Sequence, residues 1–194
     1  MTEQFELYES LFFEGFPVGY ATEKIIAKQN NSNWDAIVVY KTPFVTDTEF
    51  NALQAYLDNG GTLILDNNNS LTKDEYGKQR KQVLLEGKGK LIVMQDDGLE
   101  ALKAKSLEII SDNLHDVVLV ENNGTEYKGC TWRVIKNPNG GYLMNILNLG
   151  KNSAKLQVGL KNNEELTITN LLTGEELSST LELPSNGVLL LDIE

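Results

Sequence analysis

Residues 34–65 read Trp-Asp-Ala-Ile-Val-Val-Tyr-Lys-Thr-Pro-Phe-Val-Thr-Asp-Thr-Glu-Phe-Asn-Ala-Leu-Gln-Ala-Tyr-Leu-Asp-Asn-Gly-Gly-Thr-Leu-Ile-Leu. Ala36–Tyr40 is apolar on both faces, as a strand buried inside a parallel sheet must be. Thr46 or Asp47 then caps a helix that has Glu49 in its first turn and Phe50, Leu53 and Leu57 along one side. Asn59-Gly60-Gly61 ends that helix with the residues a left-handed cap requires, and Thr62–Leu65 is a second apolar strand. Strand, helix, strand with short links is the signature of a doubly wound α/β sheet.

Outward from this segment the pattern continues. Leu7, Leu11, Phe12 and Phe16 recur at helical spacing, which predicts an amphipathic helix over Phe5–Phe16, ended by Gly15 and Pro17. Val18–Lys28 reads as a strand closed by the turn cluster Asn30-Asn31-Ser32-Asn33. Leu91–Met94 reads as a strand and Leu99–Leu114 as a helix. After His115 the grammar changes. Val117–Val120, Thr131–Ile135, Tyr142–Leu149, Ala154–Gly159, Glu165–Asn170, Ser179–Leu183 and Gly187–Ile193 are short strand candidates separated by Asn-, Gly- and Pro-rich turns. That spacing, without helices, predicts a small antiparallel β-sandwich. The expected organisation is therefore an α/β domain over residues 1–115 and an all-β domain over residues 116–194.

Composition narrows the chemistry. The 194 residues carry 17 basic and 28 acidic side chains, a net charge of −11, which argues against a nucleic-acid surface because each phosphate neutralised needs a Lys or Arg. No apolar run approaches the roughly 20 residues of a membrane span. No basic patch followed by an apolar stretch opens the chain, so no signal peptide is expected, and the lone cysteine fits a reducing compartment such as the cytoplasm. With one Cys (Cys130) and one His (His115), a zinc finger and a catalytic histidine cluster are excluded. No cofactor is expected, since no Gly-x-Gly-x-x-Gly or Walker loop is present. Residues 1–72 hold three basic and ten acidic residues, whereas Lys73–Lys90 is the one locally basic stretch. A solvated helix face and loop is the plain reading of that stretch; the sharper reading, an anionic-ligand patch, lacks a Gly-rich loop opening onto a helix.

Ligands of a doubly wound sheet sit beyond the carboxyl ends of its strands. Those ends carry Lys41-Thr42-Pro43, Asp66-Asn67-Asn68-Asn69 and Gln95-Asp96-Asp97. Asp66 with Asn67, Asn68 and Asn69 could bind a sugar or a cation, against the competing reading of turn chemistry. Trp132 could stack on a sugar ring, against the competing reading of core packing. Cys130, at the start of a strand with no helix after it, reads as a buried inert thiol, and His115 as a helix-end cap. No catalytic residue and no metal ligand is assigned.

Leu7-Tyr8-Glu9-Ser10-Leu11 with Gly15-Phe16-Pro17-Val18, then Trp34–Tyr40, then Leu53–Leu65 with its Gly-Gly-Thr-Leu, resembles one family module. It is the glutamine-amidotransferase-like (flavodoxin-like) domain that follows the catalytic barrel in family 42 β-galactosidases and related glycoside hydrolases. Asn170-Leu171-Leu172-Thr173-Gly174-Glu175 and Leu181–Leu191 resemble the closing β-sandwich of many glycoside hydrolases. Two departures stand out. The parallel strand expected before the first helix is missing, which points to a fragment whose barrel lies outside this chain. The amidotransferase nucleophile position is filled by Asp66-Asn67-Asn68, so that activity is not implied. The resemblance implies a non-catalytic C-terminal portion of a glycoside hydrolase, with the parent's catalytic barrel, a second copy of the α/β domain and a carbohydrate as partners. A stand-alone carbohydrate-binding module is the alternative.

Overall fold

Helix α3 (Asp47–Asp58) sets the geometry of the first half because both of its ends are chemically closed. At its start the Thr46 hydroxyl accepts from the Glu49 N–H (3.2 Å) and the Thr46 N–H donates to the Glu49 carboxylate (2.9 Å), a complete capping box. At its end the Gly60 N–H donates to Leu57 O (3.1 Å) and the Gly61 N–H to Tyr56 O (2.9 Å). With Gly60 at φ +92° this is a Schellman motif.

The structure is a computed structural model and describes residues 2–28, 33–67, 69–95, 98–110, 116–162 and 165–194. It divides into two units, one of Met1–Tyr8 with Gly19–Asn113 and the other of Glu9–Val18 with Leu114–Glu194. Helix α1 spans Thr2–Phe12. The first unit then holds helix α2 (Glu23–Ile26), strand β1 (Ile37–Val39), α3, β2 (Thr62–Leu65), β3 (Lys90–Val93) and helix α4 (Leu99–Ile110). The three strands form one parallel sheet in the order β1-β2-β3, with Ile37 beside Leu63 and Leu63 beside Leu91. Phe50, Leu53, Tyr56 and Leu57 of α3 pack with Ile37, Leu63 and Leu65 of the sheet in a single core. Among the described residues no helix is long and apolar enough to cross a membrane.

Three expectations change here. The segment Val18–Lys28 is not a strand: it forms the short helix α2, whose Ile25 and Ile26 N–H groups both donate to Thr22 O (2.9 Å each). Gly19 and the consecutive Ile25-Ile26 break the two-residue alternation that a half-buried strand needs. Helix α1 stops at Phe12 rather than Phe16, because Gly15 leaves the helical region at φ +88°. Third, the β2–β3 connection carries no helix among its described residues; much of residues 72–90 is held by side-chain bonds to backbone. The turn at Asn30–Ser32, the end of the Leu99–Leu114 helix beyond Ile110, and His115 lie outside the described residues.

The second unit is built of antiparallel sheets. β4 (Val117–Asn122), β7 (Ala154–Leu160) and β10 (Thr180–Leu183) form one, in the order β10-β7-β4. β5 (Cys130–Lys136), β6 (Tyr142–Asn148), β8 (Ile168–Asn170), β9 (Glu176–Leu177) and β11 (Val188–Ile193) form the other, in the order β5-β6-β11-β8-β9. Alternate residues of both sheets, among them Val117, Leu156, Val158 and Leu183 from one and Met144, Ile146, Leu191 and Ile193 from the other, share one core. Only β9 has no counterpart among the strands read from sequence: two residues are too few to show a period.

A side chain on Gly60 meets open space but a forbidden φ, whereas a Cβ on Gly61 would lie 2.3 Å from the ring of buried Tyr56. Gly61→Val should therefore cost more than Gly60→Val, and both should exceed the ~1 kcal/mol typical of a glycine exchanged within a helix. Urea unfolding of the two variants measures the order; two fully stable variants would show that the helix end is misplaced.

Candidate functional site

The carboxyl ends of β1 and β2 are tied together by one buried side chain. Asp66 follows β2 directly and is fully buried. Its N–H donates to Val39 O (3.1 Å), extending the ladder between the two strands. One carboxylate oxygen, Oδ2, accepts from the Lys41 N–H (2.8 Å) and the Asn67 side-chain amide (3.3 Å). The other, Oδ1, accepts from the Asn67 N–H (3.0 Å) and the Ser70 hydroxyl. A carboxylate offers about four acceptor positions, and here all four are occupied by donors from the ends of the two strands. Lys41, held at φ +46°, is one of three non-glycine residues with a positive φ among the described residues. Asp66 thus closes the strand ends and presents no acceptor to a ligand. Asn67 is half-buried and its Oδ1 accepts from the Asn69 N–H (2.7 Å), an Asx turn. Asn68 lies outside the described residues. Ser70, four residues after Asp66, is the partner that sequence reading did not single out.

Trp132 belongs to the other unit. The residue is 6% exposed, its Nε1–H donates to Phe13 O (3.2 Å), and the backbone of Gly15 lies against the ring: a Cβ there would come within 2.8 Å of it. No open ring face remains for a sugar. Arg133 and Lys128 hold the same 9–18 segment. The Arg133 guanidinium donates to Phe12 O (3.4 Å) and sits 4.9 Å from the Phe12 ring centre, and Lys128 pairs with Glu14 at 2.9 Å. Phe12 and Phe13, half-buried, are therefore committed to the second unit. Only the distant Lys128-x₃-Trp132-Arg133 cluster could have signalled this, and it has no short-range pattern.

Cys130 is buried, and burial together with the neighbouring Glu121 carboxylate pushes its thiol up to about 12. Glu121 accepts from the N–H groups of Gly129 (2.7 Å) and Cys130 (2.9 Å). A thiol so placed is not a nucleophile at neutral pH. Among the described residues no group of three or more His, Cys, Asp and Glu side chains is placed to hold a metal ion.

The basic segment 73–90 is anchored at its base. The Arg80 side chain is 6% exposed, donates to Asp47 (2.6 Å) and to Val45 O (2.8 Å), and lies 4.7 Å from the Phe50 ring centre. Gln54 of α3 clamps the backbone of Leu85 from both sides, donating to its carbonyl (3.0 Å) and accepting from its N–H (2.9 Å).

Two outcomes follow from this geometry. Asp66→Ala strands several buried donors and should destabilise the chain by about 3 kcal/mol in urea unfolding, with Ser70→Ala costing less. Cys130 should resist a thiol reagent such as DTNB at pH 8 and react fully once unfolded. Because its folded value lies above the ordinary 9.0, the unfolded chain loses the proton first. Its contribution to stability is complete below about pH 9 and is lost between there and about 12.

No protein-family model matches the chain, and no curated protein does. Solved structures do. The chain is 36% identical to the apo exo-carrageenase GH42 from Bacteroides ovatus, with a TM-score of 0.89 over all of this chain and 26% of that one. A catalytic mutant of Gan42B, a GH42 β-galactosidase from G. stearothermophilus, matches at TM-score 0.60 and 13% identity over 97% of this chain and 36% of that one. The β-galactosidase from Bacillus circulans sp. alkalophilus matches at TM-score 0.55 and 11% identity, over 97% of this chain and 37% of that one. The last two speak for the fold alone. The chain spans between about a quarter and just over a third of the length of these structures. Its structural neighbours are glycoside hydrolases of family 42, and it is similar from end to end to a part of such an enzyme.

Proposed function

We propose that this chain is the non-catalytic C-terminal portion of a GH42 glycoside hydrolase. In this reading residues 1–115 are a flavodoxin-like, glutamine-amidotransferase-like domain and residues 116–194 a β-sandwich. Together they assemble with and support a catalytic barrel carried elsewhere in the parent, which acts on a galactose-containing polysaccharide. The observation that carries this is the match to the exo-carrageenase: 36% identity over the whole chain, against 26% of that enzyme. The site chemistry supports it, since Asp66, Cys130 and Trp132 are all occupied by the fold.

The partner surface is best sought on the α/β domain. Phe5, Tyr8 and Tyr20 form a stack there, with ring centres 6.1 Å apart from Phe5 to Tyr8 and 5.0 Å from Tyr8 to Tyr20. Phe5 is 55% and Tyr20 59% exposed. Phe5 and Tyr8 of α1 with Tyr20 beyond it leave exposed aromatic area for another protein to cover.

The purified chain should hydrolyse neither an aryl β-galactoside nor a carrageenan oligosaccharide nor glutamine, and should co-purify with the parent's barrel when the two are co-expressed. Light scattering should show self-association that weakens in Phe5→Ser/Tyr20→Ser and is stronger at physiological than at low salt, because the net charge of −11 repels a second copy until it is screened. Turnover that vanishes on substituting one carboxylate or Cys130 would overturn the reading.

A further inference from the structure

The basic segment that the fold anchors opens with an exposed hairpin. Phe44 bridges Lys73 in parallel and Lys73 bridges Gln79 in antiparallel fashion. Val45 N–H donates to Lys73 O and Lys73 N–H to Pro43 O, both at 2.9 Å. Across the tip, Asp74 N–H donates to Lys78 O (2.9 Å) and Arg80 N–H to Thr72 O (2.7 Å). The Asp74 carboxylate is turned inward, accepting from the N–H groups of Tyr76 (3.0 Å) and Lys78 (2.8 Å). What this backbone displays is unusual for an acidic protein. Tyr76 is 88% and Phe44 52% exposed, the Lys73 ammonium lies 5.6 Å from the Phe44 ring centre, and Lys78 and Lys81 are exposed. A Cβ on Gly77 at the tip would stand 3.8 Å from the edge of the Phe44 ring, so tip and ring are neighbours. Residues 73–90 carry six basic and three acidic side chains in a chain of net charge −11.

We propose that this hairpin binds a sulfated galactan, with Tyr76 and Phe44 stacking on the C–H faces of galactose rings and Lys73 and Lys78 pairing with sulfate esters. The inference rests on the reading that the parent is a GH42 enzyme of a galactose polysaccharide, and it specifies an anionic one. Carrageenans are sulfated galactans, and the 36% identical relative is an exo-carrageenase. Chemistry favours this occupant over a protein. A stable protein contact needs about 800 Å² per partner, and two rings interleaved with ammonium groups would force those cations out of water without acceptors. A polyanion pairs the cations and needs only the ring faces. Ring stacking with flanking cations is how proteins hold other anionic chains on a short surface.

Affinity electrophoresis of the full chain in gels containing κ-carrageenan, its desulfated backbone or dextran sulfate tests this. The chain should be retarded by κ-carrageenan at physiological salt, less so as salt rises above that strength, and by the other two polymers at least about tenfold more weakly. Tyr76→Ala and Lys73→Gln/Lys78→Gln should each weaken retardation about tenfold, with circular dichroism and unfolding midpoint unchanged. No retardation by κ-carrageenan, retardation matched by dextran sulfate, or indifference to Tyr76→Ala would overturn the proposal. So would variants that instead abolish co-purification with the catalytic barrel, because the hairpin is then a protein contact. A chain that joins the barrel without being retarded removes the sugar contact alone; one that is retarded but never joins the barrel removes the assembly role alone.

Discussion

Three stretches of backbone meet where α3 ends, and two glycines make the meeting sterically feasible. A Cβ on Gly89 would lie 2.1 Å from Gly61 O, and one on Gly61 would lie 2.3 Å from the Tyr56 ring. The space so freed is filled with hydrogen bonds: Gly89 N–H to Leu57 O at 2.8 Å and Lys90 N–H to Gly61 O at 3.0 Å. The exposed carbonyl of a helix end, the start of β2 and the start of β3 are thus satisfied in one place. The sheet register follows from this junction, since Lys90 pairs with Thr62 immediately after it. Everything on the far side of the sheet, including the turn at Asp66, inherits its position from here.

At the opposite ends of the strands the same problem is solved by polar side chains taken out of water. Asp66 collects the donors of Lys41, Asn67 and Ser70 in the first unit. In the second, buried Asn148 at the end of β6 donates to Leu183 O (3.0 Å) and Asn152 O (2.9 Å) and accepts from the Gly150 N–H (2.9 Å). Buried polar groups of this kind are affordable only when every atom finds a partner. The consequence for function is direct. At the carboxyl ends of β1 and β2, where an open α/β sheet usually keeps its ligand-binding groups, the Asp66 carboxylate is taken by Lys41, Asn67 and Ser70.

Much of this was legible in the sequence where the cause is local. Thr46, Glu49 and the Asn59-Gly60-Gly61 run mark the limits of α3 because capping involves neighbours three to five residues apart. Ala36–Tyr40 and Thr62–Leu65 read as buried strands because their apolar character is continuous. The strands after residue 116 were legible from alternation and turn residues. What escaped depends on distant partners. The helical turn at Glu23–Ile26 buries only Ile26 and shows no period. Asp66 could be read as a ligand or as a turn until Lys41, 25 residues away, was seen to claim it. Trp132 reaches a partner 119 residues away, beyond any spacing rule. Phe12 reads as one position of a helical apolar stripe, yet the Arg133 guanidinium donates to its carbonyl and the Trp132 ring N–H to that of Phe13.

The distribution of charge explains why one hairpin can be electrostatically distinct on so acidic a chain. Arg80 is buried against Phe50 and paired with Asp47, so its charge serves to hold the segment and not to attract anything. Lys78 and Lys81 on either side of it are exposed and Lys73 is half-buried against the Phe44 ring, and the Debye length at physiological ionic strength is about 8 Å. At that range an approaching anion responds to Lys73, Lys78 and Lys81 and to Glu75, while acidic groups farther along the chain are largely screened. Dilute salt reverses this balance: the screening length grows to about 30 Å at 0.01 M, and the net charge of −11 then repels the same anion. Attraction at the hairpin is accordingly a short-range property that depends on the lysines being held close to the aromatic rings, and the Phe44–Lys73 bridge is what holds them there.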